Sequence, residues 1–162
     1  MRIFRAGPAL ASGACAFVLS ACGFSASPAD GLRFAAPPGW RSSPGILGFM
    51  QFWRPPADDN QVLMLFKSPK PLKASDVFSY DRMQDTLKDA RVTSRRSIAI
   101  CGDQPATYIE ARGSSAKGGN DKVDMVMTTL RETTYFALYV RPVEAVPDAQ
   151  AEAALRELCA KP

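Results

Sequence analysis

Apolar residues in this chain fall into short alternating or continuous runs far more often than into helical stripes. "LRFAAPPGW" opens with a short strand at Leu32 to Ala35, closed by Pro37-Pro38-Gly39 before Trp40. "ILGFMQFW", Ile46 to Trp53, and "VLMLF", Val62 to Phe66, are apolar on both alternating faces, with the turn residues "PPADDN" between them. That pair predicts a β-hairpin.

From Ser75 the period changes. "SDVFSYDRMQDTLKDA" places Val77, Tyr80, Met83, Leu87 and Ala90 near helical spacing, with Ser75 as N-cap and Asp76 suited to the first-turn dipole. A helix ending near Ala90 is expected. Four further strands follow: Val92 to Cys101, Ala106 to Arg112, Lys122 to Glu132 and Thr134 to Arg141. Their joints, "CGDQP", "GSSAKGGND" and "RETT", suit antiparallel neighbours in a meander. "PDAQAEAALRELC" then sets Ala151, Ala154, Leu155 and Leu158 on one face of a closing helix, started by Pro147 and Asp148. "YFALYV", Tyr135 to Val140, has apolar groups on both faces, so the sheet should be covered on both sides. The expected class is α+β: an antiparallel β-sheet of six to seven strands flanked by two helices.

"FAAPPGW" at Phe34 to Trp40, "IAICGDQPATYIEA" at Ile98 to Ala111 and "TTYFALYV" before the last helix resemble the PsbP-like superfamily. That superfamily includes the photosystem II extrinsic protein, a Ran-binding import factor and bacterial lipoproteins. The resemblance covers nearly all of residues 32–162 and implies an α/β/α sandwich with a non-enzymatic, partner-binding role. No partner-binding residue matches by position, so the photosynthetic and nuclear roles do not carry over.

The first thirty residues change the picture. Arg2 and Arg5 precede a mostly apolar run from Ala9 to Ala21, the layout of an export signal and too short and Gly/Ser-rich for a transmembrane helix. Leu19-Ser20-Ala21-Cys22 resembles the bacterial lipobox, which implies cleavage before Cys22 and acylation of its sulfur and new amine. Cys15 competes less well, because Ser12 stands where the motif wants a branched apolar residue; an ordinary secretory signal is the plainer alternative. The expected organisation is a lipoprotein signal peptide at 1–21, a lipidated cysteine and flexible linker at 22–31, and one domain at 32–162. Two or more acyl chains hold a protein stably on a bilayer. The nine residues from Gly23 to Gly31 span a root-mean-square distance of roughly 15–18 Å. Gly23, rather than Asp, follows the cysteine, which points to the outer membrane facing the periplasm in a Gram-negative cell.

The chain carries 20 Lys and Arg against 16 Asp and Glu; without Arg2 and Arg5 the balance is 18 against 16. Such near-neutrality argues against a nucleic-acid partner. "SRRS", Ser94 to Ser97, reads as a solvated strand edge rather than a docking patch. Of the four cysteines, Cys101 and Cys159 remain in the domain, and export makes a disulfide between them the expected state.

Candidate chemistry is sparse. The chain has no histidine, which removes the commonest general base and zinc ligand. Ser114-x-x-Lys117 has the spacing of a serine acyl-enzyme but sits in a glycine-flanked loop without the helical turn that would align the two groups. "GSSAKGGN" lacks the strand-loop-helix context of a phosphate cradle, and "ADDN" reads as a hairpin turn rather than a calcium loop. No cofactor or metal is expected. Met125 and Met127 read as core. The aromatic concentration Trp40, Phe49, Phe52 and Trp53 reads first as core and second as the wall of an apolar pocket. Two functions follow as expectations: a membrane-anchored envelope lipoprotein acting as a non-catalytic protein-binding module, or a binder of a small apolar ligand or acyl chain near Trp40 and Trp53.

Overall fold

A computed structural model of the chain describes residues 31–45, 49–79, 87–115 and 118–160. The lipobox with Cys22, Cys15 and the linker up to Asp30 lie outside the described residues. Among the described residues are nine strands: β1 (Leu32–Arg33), β2 (Arg41–Pro44), β3 (Phe49–Arg54), β4 (Val62–Ser68), β5 (Leu87–Ile100), β6 (Gln104–Ser115), β7 (Asn120–Leu130), β8 (Thr133–Pro142) and β9 (Cys159–Ala160), with one α-helix, α1 (Ala149–Leu155). Seven strands form one antiparallel sheet in the order β2-β3-β4-β8-β7-β6-β5, and β1 pairs with β9 in a separate two-stranded sheet. The β3–β4 hairpin and the β5-to-β8 meander are as the pattern predicts. The sheet's membership differs: the strand expected at Leu32 leaves it, and Arg41–Pro44, too polar to register as a strand, becomes its edge.

The alternation divides the core into two layers. On one face, Trp53, Leu63, Leu65, Tyr108, Val126, Ala137 and Tyr139 meet Ala151, Ala154, Leu155 and Leu158 of the helical segment. Asp148 caps that helix, its Oδ1 accepting from the N–H groups of Gln150 at 2.8 Å and Ala151 at 3.1 Å. On the other face, Met64, Phe66, Ile109, Met125, Met127, Phe136 and Leu138 are covered by Val77 and Phe78, with Leu72 and Ala74 beside them.

The two-helix expectation needs correction, since α1 is the one α-helix among the described residues. Val77–Ser79 form a short 3-10 turn and residues 80–86 lie outside the described residues. Leu87–Ala90, expected in helix, begin the 14-residue strand β5. An apolar spacing close to three fits a helix in isolation, but pairing of Leu87 with Ser115 and Lys88 with Ser114 decides this segment. Leu87 is buried in space left open by Gly113: a Cβ there would sit 2.6 Å from Leu87 Cγ and 2.6 Å from the Lys88 carbonyl oxygen. The flanking layer opposite α1 is therefore, among the described residues, an irregular segment rather than a helix.

The "PPGW" punctuation is a turn. The Trp40 N–H donates to the Pro37 carbonyl at 3.3 Å, with Gly39 at φ 79° in the position where a type II turn requires positive φ.

Candidate functional site

Register assigns each loop to one of two ends of the sheet. Val62 opposite Val140 and Asp121 opposite Pro142 put the β3–β4 turn, the β6–β7 loop and the exit of β8 at one end. Ile100 opposite Gln104 and Leu130 opposite Thr133 put the β5–β6 and β7–β8 turns at the other. Cys101 in the β5–β6 turn is disulfide-bonded to Cys159, their Cα atoms 5.7 Å apart, and Cys159 pairs with Arg33 of β1. The start of the domain is thus fastened at this second end, about 33 Å along β7 from the first.

Near the loop end, on the face shared with α1, four cations stand in one transverse row. Arg91 is opposite Arg112, Arg112 opposite Lys122, and Lys122 opposite Arg141, across four neighbouring strands. Directly opposed residues project to the same face, with their strands about 4.8 Å apart. The next row inward holds Ser94, Glu110, Asp124 and Tyr139, and the third begins with Arg96 and Tyr108. Cation row, anion row and aromatic row thus lie side by side.

The inner half of this array is buried or half-buried and mutually neutralised. Asp124 is fully buried, and its Oδ1 accepts from Tyr108 Oη at 3.2 Å and lies 3.4 Å from Lys122 Nζ. Lys122 Nζ is also 3.5 Å from Glu110 Oε1. Arg141, 5% exposed, brings Nη2 to 3.8 Å from Asp124 Oδ2 and donates from Nη1 to the Ala145 carbonyl at 3.1 Å. Among the described residues, Asp124 Oδ2 and Arg141 Nε have no hydrogen-bond partner. A buried pair held at that distance is incompletely satisfied. Tyr139 Oη donates to Gln61 Oε1 and accepts from the Asp148 N–H at 2.9 Å, joining the array to the N-cap of α1.

Burial, reinforced by the Asp124 carboxylate, pushes the Tyr108 phenol well above its ordinary range. Burial likewise raises Tyr139, against the opposing influence of the Asp148 N–H and the Arg141 cation. Neither phenol is available as a base near neutrality. Arg96 lies over the Tyr108 ring at 4.3 Å. The outer half of the row is exposed: Arg91 and Arg112 carry no ion pair or hydrogen bond among the described residues.

The other sequence candidates are dispersed. Trp53 is buried and packs on Phe34 with centroids 5.1 Å apart, whereas Phe52, the next residue, points to the opposite layer. Trp40 is partly buried with its edge toward Tyr139 at 6.2 Å. Phe49 begins β3, and its side chain lies outside the described residues. Strand alternation thus divides these aromatics between two core layers rather than gathering them round one pocket. A cleft of about 290 Å³ does open at the loop end, lined by Val62, Met64, Val140, Arg54, Asp121 and Glu144.

"ADDN" is a turn as read: Asp58 Oδ1 accepts from the Asn60 N–H at 2.8 Å, and Asp59 pairs with Arg41 at 2.8 Å. Ser114 lies in β6 and Lys117 outside the described residues. Met125 and Met127 are core. "SRRS" lies on the edge strand β5. The cationic row escaped the sequence reading because its members are separated by 21, 10 and 19 positions and come together only through cross-strand register. Among the described residues no cluster of three or more acidic, cysteine or histidine side chains is arranged to hold a metal, and no helix is long and apolar enough to cross a membrane.

No protein-family model and no curated relative matches the sequence. Among solved structures the chain is similar to the cyanobacterial PsbP protein (CyanoP) of Synechocystis sp. PCC 6803, with a TM-score of 0.61 at 16% identity over 91% of this chain and 98% of that one. A protein of Bacteroides thetaiotaomicron gives a TM-score of 0.53 at 13% identity, covering 85% of this chain and 47% of its own. At these identities the likeness is one of fold: the chain has a PsbP-like fold.

Proposed function

We propose that this chain is an acylated envelope lipoprotein whose domain binds a protein partner without catalysis, on the periplasmic side of the outer membrane. The observation that carries this reading is the polarity of the domain. The tether proposed at Cys22 enters through β1, at the disulfide-bonded end of the sheet, while the cationic row and the cleft lie toward the opposite end. A linker of nine residues keeps the first end near the bilayer, at a root-mean-square distance of roughly 15–18 Å. The loop end then faces away from the lipid, where a partner can reach it.

Supporting this reading are the lipobox spacing, the absence of histidine and a fold shared with CyanoP. Radiolabelled palmitate should enter the wild-type protein and not the Cys22→Ser variant, which should leave the membrane fraction or remain an uncleaved precursor. A photo-crosslinker at Asn60 should then capture protein, and one at Asp103 should capture lipid. A wild type that takes up no label and fractionates as soluble removes the anchor. Protein capture at Asp103 alone reverses the orientation.

A further inference from the structure

We infer that the exposed pair Arg91 and Arg112 is the recognition site for an acidic segment of the partner, binding two neighbouring carboxylates. This rests on the proposed partner-binding role and gives that partner a chemistry.

The argument begins with charge accounting along the row. Four cations stand in register, and the adjoining row supplies two carboxylates, Glu110 and Asp124. Both are taken by Lys122 and Arg141. Arg91 and Arg112 therefore face one another as like charges directly across a strand pair, an arrangement that destabilises a sheet unless an anion lies between them. The fold nevertheless builds the pairing. β5 carries irregularities between Lys88 and Arg91 and between Val92 and Ser94, on either side of Arg91, and Gly113 lets this part of β5 approach β6 where a side chain would obstruct it. Next in the row, Lys122 is held by Glu110 and Asp124, so the uncompensated charge is confined to Arg91 and Arg112. Behind it Arg141 keeps a buried Nε donor that is unused among the described residues.

Carboxylate is the anion that fits. Guanidinium groups bind it through paired N–H donors. Two cations unpaired among the described residues, beside half-buried Glu110 and buried Asp124, suit two local charges. A phosphodiester polymer would carry its further charges past those carboxylates, and the domain lacks the basic excess that such a ligand needs. An anionic bilayer is disfavoured by position, because the pair lies toward the end of the sheet remote from β1.

The test uses the full chain purified in neutral detergent, with fluorescent hexaglutamate as probe and anisotropy as readout. Wild type should bind, and binding should weaken as salt is raised. Arg91→Gln and Arg112→Gln should each weaken it about tenfold, the scale of a lost charge-assisted hydrogen bond. The doubly reversed Arg91→Glu/Arg112→Glu chain should lose hexaglutamate and gain hexalysine, an exchange that simple misfolding does not produce. Undetectable binding to wild type, or an unchanged affinity in the double variant, overturns the site. Equal competition by free glutamate at matched carboxylate concentration makes the site one for a small anion and overturns the acidic-segment assignment. Stronger arginine-dependent binding to phosphatidylglycerol vesicles than to hexaglutamate makes it a lipid site and also overturns it. The Cys22→Ser chain should bind hexaglutamate as wild type does, so failure of the anchor is read separately from failure of the arginine pair.

Discussion

Gly113 and Leu87 share one space: the side chain that residue 113 lacks would occupy the position held by the buried Leu87 Cγ, 2.6 Å from a Cβ built there. The Lys88 carbonyl, equally close, is backbone and cannot rotate aside. Gly113→Ala should therefore force the start of β5 outward. Overpacking of this kind costs about 1–3 kcal/mol, readable as a lower urea midpoint. Arg91 pairs with Arg112 immediately beyond this contact, so the same variant should also weaken hexaglutamate binding. A midpoint unchanged from wild type would show that β5 approaches β6 without needing the glycine.

Asp124 holds together two cations and a phenol that would otherwise oppose one another in the core. Removing its carboxylate leaves Lys122 and Arg141 as directly paired like charges and the Tyr108 hydroxyl without its acceptor. Asp124→Ala should destabilise the domain by about 3–5 kcal/mol, the scale for breaking a buried ion pair from one side. Asp124→Asn keeps an acceptor for Tyr108 but not the charge, so it should fall between wild type and Ala in chemical denaturation. Equal loss in the two variants would assign the whole effect to charge.

The same cluster sets the alkaline limit of the fold. Tyr108 and Tyr139 both have phenols raised above the ordinary value of 10.0, chiefly by burial. A group with a raised folded pKa contributes stability that is fully present below its unfolded value and is lost as pH climbs through its folded one. Stability should therefore hold up to about pH 10 and fall above it, as the unfolded chain ionises phenols that the folded chain keeps protonated. Ultraviolet difference titration should show these two of the chain's four tyrosines ionising late, together with unfolding. Tyr108→Phe should flatten the alkaline slope, and a slope identical to wild type would remove Tyr108 from this limit.

Elements whose local pattern and tertiary role agree are legible in the sequence. The β3–β4 hairpin, the meander and α1 with Asp148 as its cap all have apolar spacings that match the layer in which they pack. Leu87–Ala90 have a spacing near three that serves a helix and a bulged strand alike, and Gly113, 26 positions away, decides between them. β2 and β9 carry no strand signal of their own, because polar Arg41–Pro44 and two-residue Cys159–Ala160 owe their conformation to neighbouring strands rather than to composition. The candidate site was the least legible part. Arg91, Arg112, Lys122 and Arg141 each look like an ordinary surface charge, and only register makes them a row.

Cys101 and Cys159 join the β5–β6 turn to β9 across a sequence separation of 58, and through β9 they fasten β1. Buried Leu32, Phe34 and Leu158 add core packing at that corner. Strand pairing there is short: β1 and β9 are two residues each and, among the described residues, pair only with one another, whereas the main sheet continues through long neighbours on either side. A bridge closing a loop of this length adds up to ~4 kcal/mol in the loop-entropy model. A non-reduced digest should yield the linked peptides. Replacing both cysteines by serine should lower the urea midpoint and should release β1 and β9 first. Hydrogen exchange at Arg33 and Ala160 should accelerate much more than at Leu138 or Val126 in the core. Uniform acceleration across all strands would mean that the bridge supports the sheet as a whole. Protection unchanged at Arg33 would mean that the packing of Phe34 on Trp53 suffices to hold the first strand in place.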